Sequence, residues 1–291
     1  METTTLRSIK GITNMAERKQ KRSYTSLLWL TVPMAVFVLF ARYLVARDPK
    51  MDYFDYTLGL KTVDSTGVVL PEYTWRSEAL ITFWFDDAWR SQYTEGFEIL
   101  DGYGYKAALA VPIDPIGYEA YMNWHQIRKL HYLGWEITSH SRTHDCDLVN
   151  RGEDAFEYEI VGGKKDLAEY GILTDIYVAP CGESTPEATE FIKKHFSYQR
   201  IVEPGVNPIP VLDKYALMVK QVSRGVEVEE VKSWINEAVS TRQWLILMLH
   251  QIDNSDVEYG TSPENLAQIA EYVSKSRISV VLPSQALGIG R

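Results

Sequence analysis

The chain has 291 residues, 45% hydrophobic and 24% charged, an ordinary globular composition that excludes wholesale disorder, collagen and coiled coil. Its net charge of −9 argues against a nucleic-acid binder, because the phosphate backbone rewards clustered Lys and Arg. Two cysteines without a CxxC pair exclude a disulfide framework and a thiolate zinc site.

The charge is uneven. Residues 1–47 carry eight Lys/Arg and two Asp/Glu, a net of +6, which leaves 22 basic and 37 acidic residues in the remainder, a net of −15. A basic tail over 1–26 precedes an apolar run, and the run extends over 27–46 if Arg42 is accepted near its end. About 20 such residues span roughly 30 Å of hydrocarbon as a helix, so the segment is expected to be a single transmembrane anchor. Arg18, Lys19, Lys21 and Arg22 predict a cytoplasmic N-terminus and a C-terminal domain outside the cytoplasm. A cleaved signal peptide and a buried core helix are the alternatives; Leu44-Val45-Ala46 is a poor cleavage site. Residues 47–75 are polar and mixed, without sustained periodicity, and read as a linker.

From residue 76 the pattern alternates. Short apolar runs predict strands at 79–85, 106–111, 135–138, 175–179, 198–202, 216–221, 244–249 and 279–282. Helical spacing fills 118–133, 153–170, 186–195, 228–240 and 263–275. Repeated β-then-α units predict an α/β domain with a parallel sheet, closed or doubly wound.

Reactive side chains collect where strands end, the place where barrels and open α/β sheets carry chemistry. The first strand ends in Asp86-Asp87, the third runs into His140-Ser141-Arg142-Thr143-His144, and the 244–249 strand ends at His250. Each has a structural reading too, since an Asp pair caps turns and a lone His is often a hydrogen-bonded structural residue. Together they offer two histidines and a carboxylate, a catalytic zinc set that leaves positions open for water and substrate. A second carboxylate and a third His then suit base and acid roles.

These segments resemble the polysaccharide deacetylases, the NodB-homology domain of carbohydrate esterase family four. Phe85-Asp86-Asp87 resembles the first motif, Gly134 to His144 the second, Ala179-Pro180-Cys181-Gly182 stands in the place of the third, and Leu247-Met248-Leu249-His250 resembles the fifth. The resemblance implies a distorted barrel of about seven parallel strands over 76–291 and a metal-dependent hydrolase. It implies Asp87, His140 and His144 as ligands of a divalent metal, with Zn²⁺ expected. It implies Asp86 as general base, His250 as general acid, and the backbone N–H of Cys181 as an oxyanion donor. Substrate and partner are then an acetylated glycan at the cell surface or outside the cell. A small amide or cyclic imide substrate on the same metal site, or a decayed glycan-binding module, are the alternatives.

Three departures from the family pattern stand out. Ala88 follows the Asp pair where Gly is usual. The third motif, Arg-x-Pro-Tyr in the family, reads Val178-Ala179-Pro180-Cys181, so its Arg is missing; Arg224 is the candidate substitute. The acidic residue of the fourth motif has no clear counterpart, Asp213 being a poor one. Cys146 and Cys181 fall in loops near the expected site, as a disulfide or as two free thiols. Trp84, Trp89, Tyr93 and Trp124 include candidates for a sugar-stacking platform, with core or surface packing as the alternative for each.

Overall fold

The computed structural model describes residues 78–289. The expected tail, anchor and linker, 1–75, lie outside them. Among the described residues no helix is long and apolar enough to cross a membrane.

Among the described residues eight strands pair in parallel: β1 (Ala79–Phe85), β2 (Ala108–Val111), β3 (Glu136–Ser139), β4 (Ile176–Val178), β5 (Tyr198–Pro204), β6 (Leu217–Gln221), β7 (Trp244–Leu249) and β8 (Ile278–Val280). The order β2-β3-β4-β5-β6-β7-β1 closes on itself because the end of β1 also pairs with β2, Trp84 opposite Ala108 and Phe85 opposite Leu109. The start of β1 pairs instead with β8, Ala79 opposite Ile278. The result is a distorted seven-stranded barrel with an eighth strand splayed from one end. The doubly wound alternative is thereby excluded.

Side-chain alternation divides β1 between two cores, as the period-two geometry of a strand requires. Leu80 and Trp84 join Val178, Val219, Trp244 and Met248 inside the barrel. Ile81, Phe83 and Phe85 join Leu245, Leu247 and Leu249 under the helices. The helices are α1 (Phe97–Asp101), α2 (Trp124–Tyr132), α3 (Glu153–Phe156), α4 (Gly162–Glu169), α5 (Pro186–Ile192), α6 (Val228–Thr241), α7 (Pro263–Lys275) and α8 (Pro283–Ala286). A π turn, Glu157–Val161, joins α3 to α4.

The expected helix over 118–133 begins only at Trp124. Asn123 ends the preceding loop as an N-cap: its side chain accepts from the Gln126 N–H, and the Gln126 side chain accepts from the Asn123 N–H. The motif residue Glu136 serves the fold, accepting from the Ser284 N–H at 2.9 Å at the start of α8.

Candidate metal centre and active site

The carboxyl ends of β1, β3 and β7 deliver Asp87, His140, His144 and His250 to one mouth of the barrel. His140 Nε2 lies 3.4 Å from Asp87 Oδ1, and His144 Nε2 lies 3.2 Å from the same oxygen. His250 Nε2 approaches the other oxygen at 3.8 Å. One ligand atom from each of Asp87, His140 and His144 lies within 4.8 Å of the others.

The donor set fits a cation on a hydrogen-bond argument. His140 Nδ1 sits 2.9 Å from the Val178 carbonyl. A carbonyl only accepts, so Nδ1 carries the proton and the neutral ring turns a bare lone pair on Nε2 toward Asp87. His140 Nε2 and Asp87 Oδ1 are both buried without a hydrogen-bond partner. Two facing acceptors in a buried site call for a positive charge between them, a proton or a metal.

The electrostatics agree. Burial pushes the Asp87 carboxyl up, but the imidazoles gathered around it, His140 first, then His250 and His144, hold it well below the usual carboxylate range. Burial, then His140, pulls His144 below its ordinary 6.5, against the opposing pull of Asp87 and Asp86. Both shifts favour the deprotonated states that a metal ligand needs.

The backbone here is unusually twisted. Among the described residues six non-glycine positions have positive φ, and Asp87 (73°), Ala88 (58°), Ser141 (62°), His144 (60°) and Cys181 (54°) all belong to these site loops. Such strain gathers at functional sites. Ala88 thus accepts a left-handed conformation, which accounts for Gly being the usual residue there.

The loop that carries His144 is held from behind. Glu159, on the π turn, accepts from the Arg142 N–H at 3.0 Å, the Thr143 N–H at 2.8 Å and the Thr143 hydroxyl at 2.7 Å. The Arg142 guanidinium grips Asp166 at 2.6 and 2.9 Å. Gly163 lets the loop in: a Cβ there would stand 2.9 Å from the Ser141 carbonyl. The sequence carried that signal as Gly162-Gly163 in mid-helix, a mark of close backbone approach.

Arg224 does not take the role of the missing arginine. Its side chain is about half exposed and pairs with Asp256. Arg200 on β5, fully buried, reaches Asp86 instead, with Nη2 2.5 Å from each carboxylate oxygen. Arg200 stands opposite Val178 in the β4–β5 register, and Val178 occupies the position of the third-motif Arg. The guanidinium has moved across to the neighbouring strand at the same level of the barrel. Its Nη1 also meets Met248 Sδ at 2.9 Å, and its Cζ lies 5.4 Å from the centroid of the Trp84 ring. The signal for Arg200 was a cation within the apolar 198–202 run, at a position whose alternation turns it inward.

Asp213 only accepts from the nearby Tyr215 N–H at 2.9 Å, in an exposed contact. Among the described residues, Nδ1 of His250 has no hydrogen-bond partner, so no acid stands where the fourth motif would put one. Gln92, which no motif singles out, ties two site strands together by donating to the carbonyls of Asp86 at 2.5 Å and His250 at 3.0 Å.

The two cysteines form a Cys146–Cys181 disulfide, Cα atoms 5.4 Å apart, so the loop of His144 is bonded to the loop of Cys181. Of the four aromatic candidates only Trp89 lines the pocket. Trp84 is buried in the barrel, Trp124 stacks on Tyr170 at 3.6 Å and Tyr93 stacks on Phe97 at 6.0 Å. The pocket, about 340 Å³, is bordered by Asp86, Asp87, His140, His144, Cys181 and His250, with Tyr259 also in its lining. That volume lies in the range of small-molecule sites, roughly 300–1,000 Å³.

Residues 76–199 match the polysaccharide deacetylase family. No curated protein matches the chain. Among solved structures, the Xyl-CE4 domain of a multidomain xylanase from the hindgut metagenome of Trinervitermes trinervoides is 18% identical with a TM-score of 0.54, covering 72% of this chain and 90% of that one. A family 4 acetyl xylan esterase from Clostridium thermocellum, in complex with a cobalt ion, is 18% identical with a TM-score of 0.54 over 72% of this chain and 91% of its own. A peptidoglycan N-acetylglucosamine deacetylase is 14% identical with a TM-score of 0.55, covering 72% and 89%. At these identities the structural likeness speaks for the fold. The family match covers the segment that carries the first two motifs, and it is to the polysaccharide deacetylase domain that this segment is similar.

Proposed function

We propose that this protein is a membrane-anchored, metal-dependent hydrolase that removes N-acetyl, or O-acetyl, groups from a cell-surface or extracellular polysaccharide. The observation that carries the reading is the convergence of Asp87, His140 and His144 on one point, with Asp86 and His250 bordering the same pocket. The anchor is residues 27–46, with the N-terminus in the cytoplasm and the domain outside.

Asp87 Oδ1, His140 Nε2 and His144 Nε2 would hold the cation, Zn²⁺ in this reading. Bound there, the ion supplies Lewis acidity toward the acetyl carbonyl and the attacking water. Asp86 takes the proton from that water, its carboxylate oriented and charge-balanced by Arg200. The developing oxyanion receives a hydrogen bond from the Cys181 backbone N–H. His250 donates a proton to the leaving nitrogen or oxygen, which would otherwise depart as a strongly basic anion.

The test is turnover on acetylated chito-oligomers, with and without Zn²⁺, together with elemental analysis. Asp86→Asn keeps the shape of the side chain but not its basicity, so metal is retained while turnover falls by about 10²–10⁴. Asp87→Asn weakens a ligand, so metal content falls first and excess Zn²⁺ restores part of the activity. Near-parental turnover by Asp86→Asn on a verified substrate would sink this mechanism. For the anchor, protease added to intact cells removes the 76–291 domain; protection until lysis means the orientation is reversed.

A further inference from the structure

We propose that Trp89 is a positioning residue for the metal-facing carboxylate: its indole N–H occupies the outer oxygen of Asp87 and leaves the inner oxygen for the cation. This rests on the metal centre proposed above.

Trp89 Nε1 donates to Asp87 Oδ2 at 3.0 Å. The other oxygen, Oδ1, is the one that both imidazoles face, at 3.4 and 3.2 Å. The two carboxylate oxygens therefore have separate partners. The positive φ values of Asp87 and Ala88, 73° and 58°, turn the chain sharply and fold Trp89 back over a residue only two positions earlier.

The indole is held rigidly from its other side. Its ring stacks on Tyr121 with centroids 4.3 Å apart and planes 22° apart. Trp89 and Tyr121 also form an antiparallel backbone bridge. On either side of that bridge the Arg90 N–H donates to the Ala120 carbonyl and the Met122 N–H to the Ala88 carbonyl, each at 2.8 Å. The loop ahead of α2 thus fixes the plane of a ring that only packs on Asp87 through one polar atom.

Physical chemistry gives that atom its use. A carboxylate has two equivalent oxygens and rotates unless something distinguishes them. Oδ2 also lies 3.8 Å from His250 Nε2. Without another donor, Oδ2 is free to pair with a protonated His250 or to swing toward the cation. Either event removes something the reaction needs, the acid's proton or an open position for substrate. The indole N–H withholds Oδ2 from both, and it cannot do more, because indole is a donor only. Groups that hold a metal ligand in this way typically contribute about 10–100-fold in metal affinity or activity.

Two substitutions separate the N–H from the ring. Trp89→Phe keeps a ring to stack on Tyr121 but lacks the donor; Trp89→Gln lacks the ring but keeps an N–H donor. Zn²⁺ affinity is read by competition with a chelating indicator, and Co²⁺-loaded protein by its visible absorption. Trp89→Phe is expected to weaken Zn²⁺ by about 10–100-fold and to change the intensity of the Co²⁺ bands, while Trp89→Gln stays closer to the parent in both. A folded Trp89→Phe protein within twofold of the parent and with an unchanged Co²⁺ spectrum overturns the proposal. So does equal weakening in both variants, which would assign the effect to ring packing. A parent that binds neither ion overturns the metal centre itself, a separate failure. Should the substitutions prevent folding, parent protein labelled with ¹⁵N-tryptophan gives the reading: the Trp89 indole resonance shifts on Zn²⁺ addition, and an unmoved resonance overturns the proposal.

Discussion

Arg200→Met tests the relocated arginine. The native pair is buried on both sides, with side-chain exposures of 0% and 5% and a separation of 2.5 Å. Methionine is of similar volume and suits the surroundings, since Arg200 already lies against Met248 Sδ and the Trp84 ring. The substitution therefore changes charge more than volume. It leaves the Asp86 carboxylate buried without its counter-charge, a change that destabilises by about 3–5 kcal/mol. For a domain of this size that is a fall in melting temperature of roughly 6–20 °C. Adding Asp86→Asn to Arg200→Met removes the orphan charge, so the double variant is expected to recover most of the loss. A double-mutant cycle by denaturant unfolding gives the coupling, expected in the range of a few kcal/mol. Turnover of Arg200→Met falls with metal content unchanged, because Asp86 loses its orientation while the ligands keep theirs. A melting temperature within about 2 °C of the parent, or a coupling near zero, would refute the assignment of Arg200 as the partner of Asp86.

Three further outcomes are expected. Replacing both Cys146 and Cys181 by Ser opens a link across 35 residues, for which chain entropy gives about 4 kcal/mol; reducing agent should lower the unfolding midpoint of the parent equally, and an insensitive parent with two titratable thiols would show that the bond is absent. The lowered pKa of His144 means that, as pH falls, the unfolded chain takes up a proton at its ordinary 6.5 before the folded one does, so metal-free protein loses stability as pH falls from about 7 through that value. His144→Gln should flatten that slope between pH 7.5 and 5, and parallel slopes would dismiss the linkage. Gly163→Ala places a Cβ 2.9 Å from the Ser141 carbonyl and should cost about 1–3 kcal/mol while weakening Zn²⁺, because the His144 loop must move; parental stability and affinity together would mean the loop is not held at that point.

Much of this domain was legible as sequence because its signals are local. The 79–85 and 244–249 strands and the 263–275 helix keep their expected ends, since apolar runs and a Ser262-Pro263 start need no distant partner. Asp86, Asp87, His140, His144 and His250 were legible because parallel strands put their carboxyl ends at one mouth, so that residues far apart in the chain are neighbours by topology alone. Tertiary structure decided whatever depends on which strands pair and where. Barrel closure is one case, since β1 divides its length between β2 and β8, a choice no single run of residues encodes. Arg200 is the sharper case. A guanidinium on one strand replaces one on the next because cross-strand register, here Val178 opposite Arg200, brings two positions 22 residues apart to the same height, both turned inward. The disulfide follows the same logic, as two loops meet at a common mouth. Residue types and spacing specify what chemistry is available; the register and closure of the barrel specify which side chains share it, because those contacts are set by the packing of the whole sheet.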